Sequence, residues 1–476
     1  RGLVLTNHHV ALGQLQKVSS PEHDFVHDGF FARSATEEMK CPDLELRVLM
    51  STENVTDLGQ GAVDAKAPGS TQSAQRKAVT ATIEKESSQG TGLRSRVVEL
   101  YHGGEYWLYR YKKYTDVRLV MAPEQGIAFF GGDPDNFCFP RHDLDFAFFR
   151  IYEDGKPVRP ARWFKWSAAG PSDGELVFVS GSPGSTSRLR TVAQLEYLRD
   201  ASHPIRIRQQ EHRLAALRAY AARGPEQARQ ALDRIFGLEN NLKRQRAFLE
   251  VLKDPAVMAL KPKEEAALRA RVAGDPRLAA EYGDAWDRIA AAEREQMRRH
   301  REYLFRDLSR GARLAGLAAN VVLYSAETEK PNDKRFEEYR DSNLESLRFQ
   351  MFSPAPIYPE LDAVTLAAQL TDALEAFGPE DPYIKLALGG RPPAEVADDL
   401  TRKTKLGDVA FRKQLVAGGR AAVEASDDPL IVWTRQLEPS YRELRAWHED
   451  NVESVESLEG ARIAAARFAL DGKSTH

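Results

Sequence analysis

The chain contains only two cysteines, Cys41 and Cys138, among its 476 residues. At most one disulfide is therefore expected, and only if the two residues come close enough in the fold. A metal site is not expected, because His8 and His9 are adjacent and point to opposite sides of a predicted strand. No cluster of cysteines or carboxylates has the spacing of metal ligands. No cofactor is expected either.

The chain also lacks an excess of charge of one sign and any long apolar run. Its net charge is −3, with 29% charged residues, so nucleic acid is not expected as the main partner. No run of about 18 apolar residues occurs, so no membrane span is expected. The first residues are typical of the inside of a strand, and we expect any signal peptide to lie upstream of them.

Residues 1 to about 190 have the patterns of β-structure. The stretches 97–101 and 106–111 flank a Gly-Gly turn and predict a hairpin. A last strand is predicted over 176–180. Between these stretches, residues 57–92 are rich in Gly, Ser, Ala and Lys, and this composition predicts a surface insertion or a partly mobile loop.

After about residue 200 the composition changes to Ala, Arg, Leu and Glu, which indicates helices. Proline and glycine interrupt this region at 353–356 and at 389–393, where helices are expected to end. The composition would also suit a long coiled coil, but these breaks favour a globular bundle of roughly 270 residues in helices of ordinary length.

Two polar residues next to predicted strands suggest a catalytic site. His9 follows the apolar stretch 2–5, and Asp145 directly precedes the apolar stretch 146–152. A histidine base oriented by an aspartate activates a serine nucleophile. The alternative is that His9 satisfies backbone groups in a turn, with His8 supporting that turn. Asp143 lies two residues before Asp145, and chemistry alone leaves the two aspartates equal as partners.

Residues 181–185 (Gly-Ser-Pro-Gly-Ser) include serines but are not expected to hold the nucleophile. A serine in a nucleophile elbow is flanked by glycines in a strand-to-helix turn, and Pro183 directly after Ser182 does not suit that geometry. A structural or cleft-lining turn is the preferred interpretation of this segment.

These motifs resemble the bacterial dipeptidyl-peptidases of the chymotrypsin clan, the family of dipeptidyl-peptidases VII and XI. The matching stretches are Thr6-Asn7-His8-His9, Gly131-Gly132-Asp133-Pro134-Asp135-Asn136, Pro140-Arg141-His142, Asp145-Phe146 and the segment 181–188. The resemblance implies that His9 is the catalytic base and that Asp145 is its partner. It also implies that the nucleophile belongs to a Gly-Asn-Ser-Gly motif after the helical region, beyond His476, so we expect the chain as given to be an inactive piece of a peptidase.

The resemblance further implies an α+β fold with three parts. A chymotrypsin-like β-barrel is expected over 1–170, the start of a second, truncated barrel over 171–200, and a large inserted α-helical cap domain over 201–470. For substrate binding it implies Phe137, at a position where relatives carry Trp, and Asn320, as ligands of the substrate's amino terminus. An aromatic face suits a cation, although Phe lacks the indole N–H donor.

The function expected from these observations is that of a serine-type dipeptidyl aminopeptidase, which releases dipeptides from the amino termini of peptides. Peptide substrates are the expected partners, a homodimer is one possible assembly, and the resemblance implies a periplasmic or cell-surface location in a bacterium. The alternative is a non-catalytic helical binding or scaffold protein that carries a degenerate protease half.

Overall fold

A computed structural model describes residues 1–64, 67, 69–101, 103–178, 189–307 and 311–472. The prediction of a mixed helix-and-sheet fold is confirmed, and helix predominates at 63%. The strands are β1 (Leu3–Thr6), β2 (Phe30–Phe31), β3 (Met39–Lys40), β4 (Leu46–Asn54), β5 (Arg94–Leu100), β6 (Glu105–Tyr114), β7 (Asp116–Ala122), β8 (Ala147–Glu153) and β9 (Lys156–Pro157).

The strands form two sheets. The first has the order β1-β8-β7-β2, with β3 also on β7 and β9 also on β8, and the second has the order β4-β6-β5. All pairings between the described strands are antiparallel, and Leu3 of β1 lies opposite Arg150 of β8. Across the described residues both sheets are open, and the predicted closed barrel is not confirmed.

Six helices precede β8 in the described chain, four of them with no more than six residues. They are α1 (His8–Val18), α2 (Phe25–Asp28), α3 (Thr56–Gly61), α4 (Gly69–Thr91), α5 (Gln125–Ala128) and α6 (Gly132–Asp135). Helix α1 packs Ala11, Leu12 and Leu15 against the first sheet, because spacings of three and four residues place side chains on one helix face. Burial of Leu12 contributes about 1.5–3 kcal/mol.

The prediction of a loop over 57–92 is wrong, because α3 and α4 occupy most of that stretch. The Gly and Ser residues suggested a loop, but the same stretch contains Ala, Gln, Lys and Glu, which are good helix formers. Helix α4 buries Ala81 and packs Ile83 against the second sheet, and such tertiary packing stabilises helices of low amphipathicity.

The hairpin prediction is confirmed, since β5 pairs with β6 from Arg94 opposite Tyr111 to Leu100 opposite Glu105. The strand prediction over 176–180 is not supported where it can be checked, because residues 176–178 have no regular structure. Residues 179 and 180 and the serine-containing segment 181–188 lie outside the described residues.

From residue 192 onwards the described chain is mainly helical. Its helices are α7 (Val192–Tyr197), α8 (His203–Ala221), α9 (Pro225–Lys253), α10 (Pro255–Ala273), α11 (Pro276–Tyr282), α12 (Ala285–Phe305), α13 (Arg313–Glu327), α14 (Asp341–Met351), α15 (Pro359–Phe377), α16 (Pro382–Leu388), α17 (Pro393–Lys403), α18 (Val409–Ala425), α19 (Pro429–His448) and α20 (Ser454–Asp471). The longest of them, α9, has 29 residues. The prediction of a bundle of ordinary helices is therefore confirmed, and the alternative of a long coiled coil is not.

The helix ends follow the predicted breaks. Helix α14 ends at Met351 and α15 begins at Pro359, on either side of the first proline break, and α16 ends at Leu388 just before the Gly-Gly pair. Proline suits the first turn of a helix because the N–H that it lacks has no partner there. The main helical core surrounds α13 and includes Leu314, Ala318 and Val321.

Cys41 is buried, Cys138 is exposed and both are free thiols, so the one disulfide that the sequence allowed is not formed. No helix among the described residues is long and apolar enough to cross a membrane.

Candidate active site

The pairing of β1 with β8 brings His9 and Asp145 together although 136 residues separate them in sequence. Thr6, the last residue of β1, lies opposite Ala147, the first residue of β8. In an antiparallel pair the end of one strand meets the beginning of the other. The residues that follow β1 and those that precede β8 therefore share one edge of the sheet.

At this edge the carboxylate of Asp145 holds His9 at two points. The His9 ring Nδ1 lies 2.7 Å from Asp145 Oδ2, and the backbone N–H of His9 donates to Asp145 Oδ1 at 3.0 Å. The predicted proximity of these two residues is confirmed. With Asp145 ionised, Nδ1 carries the proton, so that Nε2 is left as the acceptor.

Asn7 is a third member of this cluster that the sequence analysis did not single out. Its amide Nδ2 donates to Asp145 Oδ2 at 3.2 Å and to the Asp145 carbonyl oxygen at 3.1 Å. Asn7 precedes α1 but makes no capping bond with its side chain. Asp145 instead accepts one of the N–H groups that lack a partner at the start of α1, where a negative charge is favoured by the helix dipole.

The histidine pair lies in the first turn of α1, so the prediction that the two rings flank a strand is wrong. Successive residues of a helix are about 100° apart, as 3.6 residues make one turn. This rotation buries His8, which is 2% exposed, while 53% of the His9 side chain stays exposed. His9 is thus the histidine that a substrate can reach.

The electrostatics of the pair follow from these contacts. The hydrogen bond to Asp145 raises the pKa of His9 above its usual 6.5 despite partial burial. Burial alone would raise the pKa of Asp145, but the hydrogen bonds from the His9 ring and backbone outweigh it and lower that pKa. Burial lowers the pKa of His8. The arrangement favours an ionised carboxylate beside a histidine that binds and releases a proton near neutral pH.

Asp143, the alternative partner, makes a different contact. Its Oδ2 lies 3.0 Å from Nε of Arg141, whose guanidinium also donates to Asn136 Oδ1 at 3.2 Å. The geometry therefore brings Asp145, and not Asp143, into hydrogen-bond contact with His9.

Phe137 projects from the loop that leads to Asp145. Its side chain is exposed, and its backbone has a φ of +64°, in the left-handed region that an aromatic residue rarely adopts. The turn before it depends on Gly131, since a Cβ there would lie 1.9 Å from the Asp135 carboxylate. Strained residues of this kind persist where the surroundings hold them, often at functional sites.

Helix α9 holds this loop through one of its faces. Phe236 packs edge-on against Phe129 at 4.7 Å, Asn240 Oδ1 accepts from Asn136 Nδ2 at 2.9 Å, and Lys243 Nζ donates to the carbonyl oxygen of Pro134 at 3.0 Å. Positions 236, 240 and 243 share one side of the helix. The sequence signal for this face was only the helical spacing, and polar residues at such spacing usually face solvent.

The same helix contacts the helix that carries His9. Gln16 of α1 donates from Nε2 to the Arg229 carbonyl oxygen at 2.8 Å. One helix thereby supports both the histidine and the Phe137 loop.

Asn320 lies on α13, where its Oδ1 accepts from the hydroxyl of buried Tyr339 at 3.2 Å. No hydrogen bond between Asn320 and His9, Asp145 or Phe137 occurs in the described part of the chain. The role of Asn320 in binding a substrate amine stays a prediction.

No group of three or more metal-binding side chains comes together within the described residues.

A family model for Peptidase S46 matches residues 1–476. The chain belongs to the Peptidase S46 family. It is 27% identical over 472 residues to the Asp/Glu-specific dipeptidyl-peptidase of Porphyromonas gingivalis, a match that covers 93% of this chain and 64% of that protein. It is 30% identical over 281 residues to dipeptidyl-peptidase 7 of Phocaeicola vulgatus, which covers 56% of this chain and 39% of that protein.

Among solved structures, the chain is similar to Porphyromonas endodontalis DPP11 in complex with the dipeptide Arg-Glu. The TM-score is 0.75 at 21% identity, and the match covers 99% of this chain and 70% of that one. This likeness shows the S46 fold. The chain spans 64% of the length of the P. gingivalis relative. Nothing in these findings favours the alternative of a non-catalytic scaffold.

Proposed function

We propose that this chain supplies the base and the aspartate of a serine-type dipeptidyl aminopeptidase. The observation that carries the proposal is the 2.7 Å contact between His9 Nδ1 and Asp145 Oδ2, with the ring half exposed at a sheet edge. His9 Nε2 takes the proton of a serine hydroxyl and later returns it to the leaving amine, and Asp145 stabilises the imidazolium between these steps.

The serine and the oxyanion hole come, in this proposal, from the part of the relatives' length that the chain does not span. The sheet containing β1, β8 and β7 belongs to a chymotrypsin-like barrel, and the second barrel begins within 171–200. Support for this comes from the family membership and from the antiparallel order of the sheet.

We assign the specificity for free amino termini to the Phe137 loop and to helix α9, which contacts this loop. A dipeptidyl aminopeptidase must hold the ammonium group of its substrate at a fixed distance from the scissile bond. Phe137 offers an exposed aromatic face, and the amides of Asn136 and Asn240 meet beside it. Amide oxygens and aromatic faces both attract an ammonium group.

We further propose that the enzyme acts on peptides in the periplasm or at the cell surface of a bacterium, where a homodimer is one possible assembly. This proposal rests on the resemblance of the sequence motifs, which implies such a location. Cell fractionation followed by immunoblotting tests the location, and a protein confined to the cytosolic fraction contradicts it.

The test of function is hydrolysis of dipeptidyl substrates by the natural gene product. We expect turnover of substrates with a free amine, none of their N-acetylated forms, and loss of about 10³-fold or more in His9→Ala. The matched control is His27→Ala, because His27 makes a similar 2.7 Å contact with Asp28 on an exposed helix. Full activity of His9→Ala, or equal loss in His27→Ala, would contradict the proposal.

A further inference from the structure

A cavity of about 1250 Å³ lies between the second sheet and the helical region. Helix α4, strands β5 and β6, the segment 335–350 and helices α19 and α20 contribute to its walls. His9, Asp145 and Phe137 do not line it. The volume is larger than that of most pockets for small organic ligands, about 300–1,000 Å³, so such a ligand would fit together with water.

The walls of this cavity carry many cations, most of which have an acidic partner. The paired cations and their partners are Lys77 with Glu449, Arg47 and Arg94 with Glu45, Arg96 with Glu337, Arg306 with Asp381, Arg335 with Asp341, and Arg445 with Glu338. Arg340 and Arg76 also line the cavity, and neither has an acidic group within 4.0 Å among the described residues.

Arg340 is the more unusual of the two. It is 6% exposed, and its Nε has no hydrogen-bond partner in the part of the chain that the structure describes. A guanidinium does not lose its proton in a protein, so burial does not neutralise it. An isolated buried charge is strongly unfavourable, and buried charges in proteins are usually paired with a group of opposite charge.

The nearby carboxylates are occupied elsewhere. Glu84 uses one oxygen to accept the Val97 backbone N–H at 2.9 Å and the other to accept the Ser342 hydroxyl at 3.2 Å. Glu337 and Glu338, which precede Arg340 in sequence, pair with Arg96 and Arg445. Among the described residues, Arg340 therefore has no carboxylate within 4.0 Å, and the charge of Glu84 acts on it only over a longer distance.

Arg76 reaches the cavity from helix α4. Its guanidinium carbon lies 5.7 Å from the centre of the Tyr106 ring, and its Nε is buried without a hydrogen-bond partner among the described residues. Two arginines on different elements thus line one cavity, and each has an incompletely hydrogen-bonded guanidinium.

We propose that this cavity binds an organic oxyanion, whose carboxylate or phosphate groups accept hydrogen bonds from Arg340 and Arg76. Guanidinium groups match the planar spacing of such oxygens. The proposal is independent of the peptidase reaction, because it concerns groups that do not line the candidate active site.

Calorimetric titration of the purified chain with citrate, and separately with inorganic phosphate, at constant ionic strength tests the proposal. We expect saturable binding of at least one probe and a rise in melting temperature with its concentration. Arg340→Gln and Arg76→Gln should each weaken that binding by about 10-fold or more, because each removes charge-assisted hydrogen bonds. Arg348→Gln is the control, since Arg348 is exposed on α14 and does not line the cavity.

Each result decides for or against the site. Binding of citrate alone identifies a carboxylate ligand, and binding of phosphate alone identifies a phosphorylated one. Absence of saturable binding for both probes overturns the proposal and indicates that solvent alone compensates Arg340. If Arg340→Gln does not fold, Arg76→Gln decides, and unchanged affinity in that variant overturns the proposal as well.

Discussion

Asp145 accepts both the ring N–H and the backbone N–H of His9, at 2.7 Å and 3.0 Å, each with a different carboxylate oxygen. The first contact orients the imidazole, and the second fixes the start of the helix that carries it. A single side chain therefore determines where the ring lies and which of its nitrogens is protonated.

Asp145→Asn should lower the pKa of His9. In the natural chain the aspartate raises that pKa above 6.5, and a neutral amide removes the charge and most of the effect. NMR titration of the histidine ring signals measures it. Asp28→Asn is the matched control, since it should lower the pKa of His27, which Asp28 raises, and leave His9 unaffected. A His9 pKa that is unchanged in Asp145→Asn would refute the electrostatic role of the carboxylate.

The rate of dipeptide release should depend on the same proton. A general base works only when neutral, so kcat/KM should rise with pH as His9 loses its proton, with the midpoint above 6.5. Asp145→Asn should move this limb to lower pH and reduce the rate by about 10²–10⁴-fold. Steady-state kinetics between pH 5 and 9 on the natural gene product provide the measurement. An acid limb that stays in place in the variant argues that another group acts as the base.

Asn240→Ala should weaken binding of substrates with a free amine. Its amide joins Asn136 beside Phe137. Loss of the hydrogen bond that this pair offers to the substrate ammonium group should raise KM by about 10-fold, the value of one hydrogen bond to a charged group. Asn320→Ala is the informative comparison. It leaves the buried Tyr339 hydroxyl without its acceptor, so we expect a loss of about 1–3 kcal/mol in unfolding free energy with little change in KM. The reverse pattern would support the sequence-based assignment of Asn320.

Glu293→Gln should stabilise the chain at alkaline pH. Glu293 is 3% exposed, and burial together with the neighbouring Glu456 raises its pKa far above 4.5. The folded state thus holds a proton that the unfolded state has released, and stability falls as pH rises from the unfolded pKa toward the folded one. Glutamine keeps the shape of the protonated acid and removes this dependence. Urea unfolding at pH 5, 7 and 9 should show the two proteins converging at pH 5, and parallel curves at all three values would contradict the prediction.

The sequence predicts that His9 lies near an aspartate, because His9 and the pair Asp143 and Asp145 adjoin short apolar strands whose pairing brings such ends together. The choice of Asp145 over Asp143 comes from the family resemblance and not from the local pattern. The sequence does not predict that α1 begins at His8, because the apolar residues after the histidines continue the pattern of the strand before them. Helix formation there depends on the sheet below, against which Leu12 and Leu15 pack. The local sequence pattern carries no information about that surface, because the sheet is formed by distant parts of the chain.

The contribution of α9 was also not predictable. Asn240 and Lys243 lie among many polar residues of a long helix, and nothing local distinguishes them from solvent-facing neighbours. Their role depends on the Phe137 loop, which is more than 100 residues distant in sequence. Contacts of this kind are determined by tertiary arrangement and not by periodicity.

The register of β1 on β8 has a consequence for biosynthesis. Leu3 pairs with Arg150, so during synthesis β1 has no partner on this side until residues near 150 have followed it. Closing so long a loop is entropically unfavourable before the intervening strands and helices have ordered. His9 should therefore stay without its aspartate partner until Asp145 and the strand that follows it have been synthesised and have paired with β1.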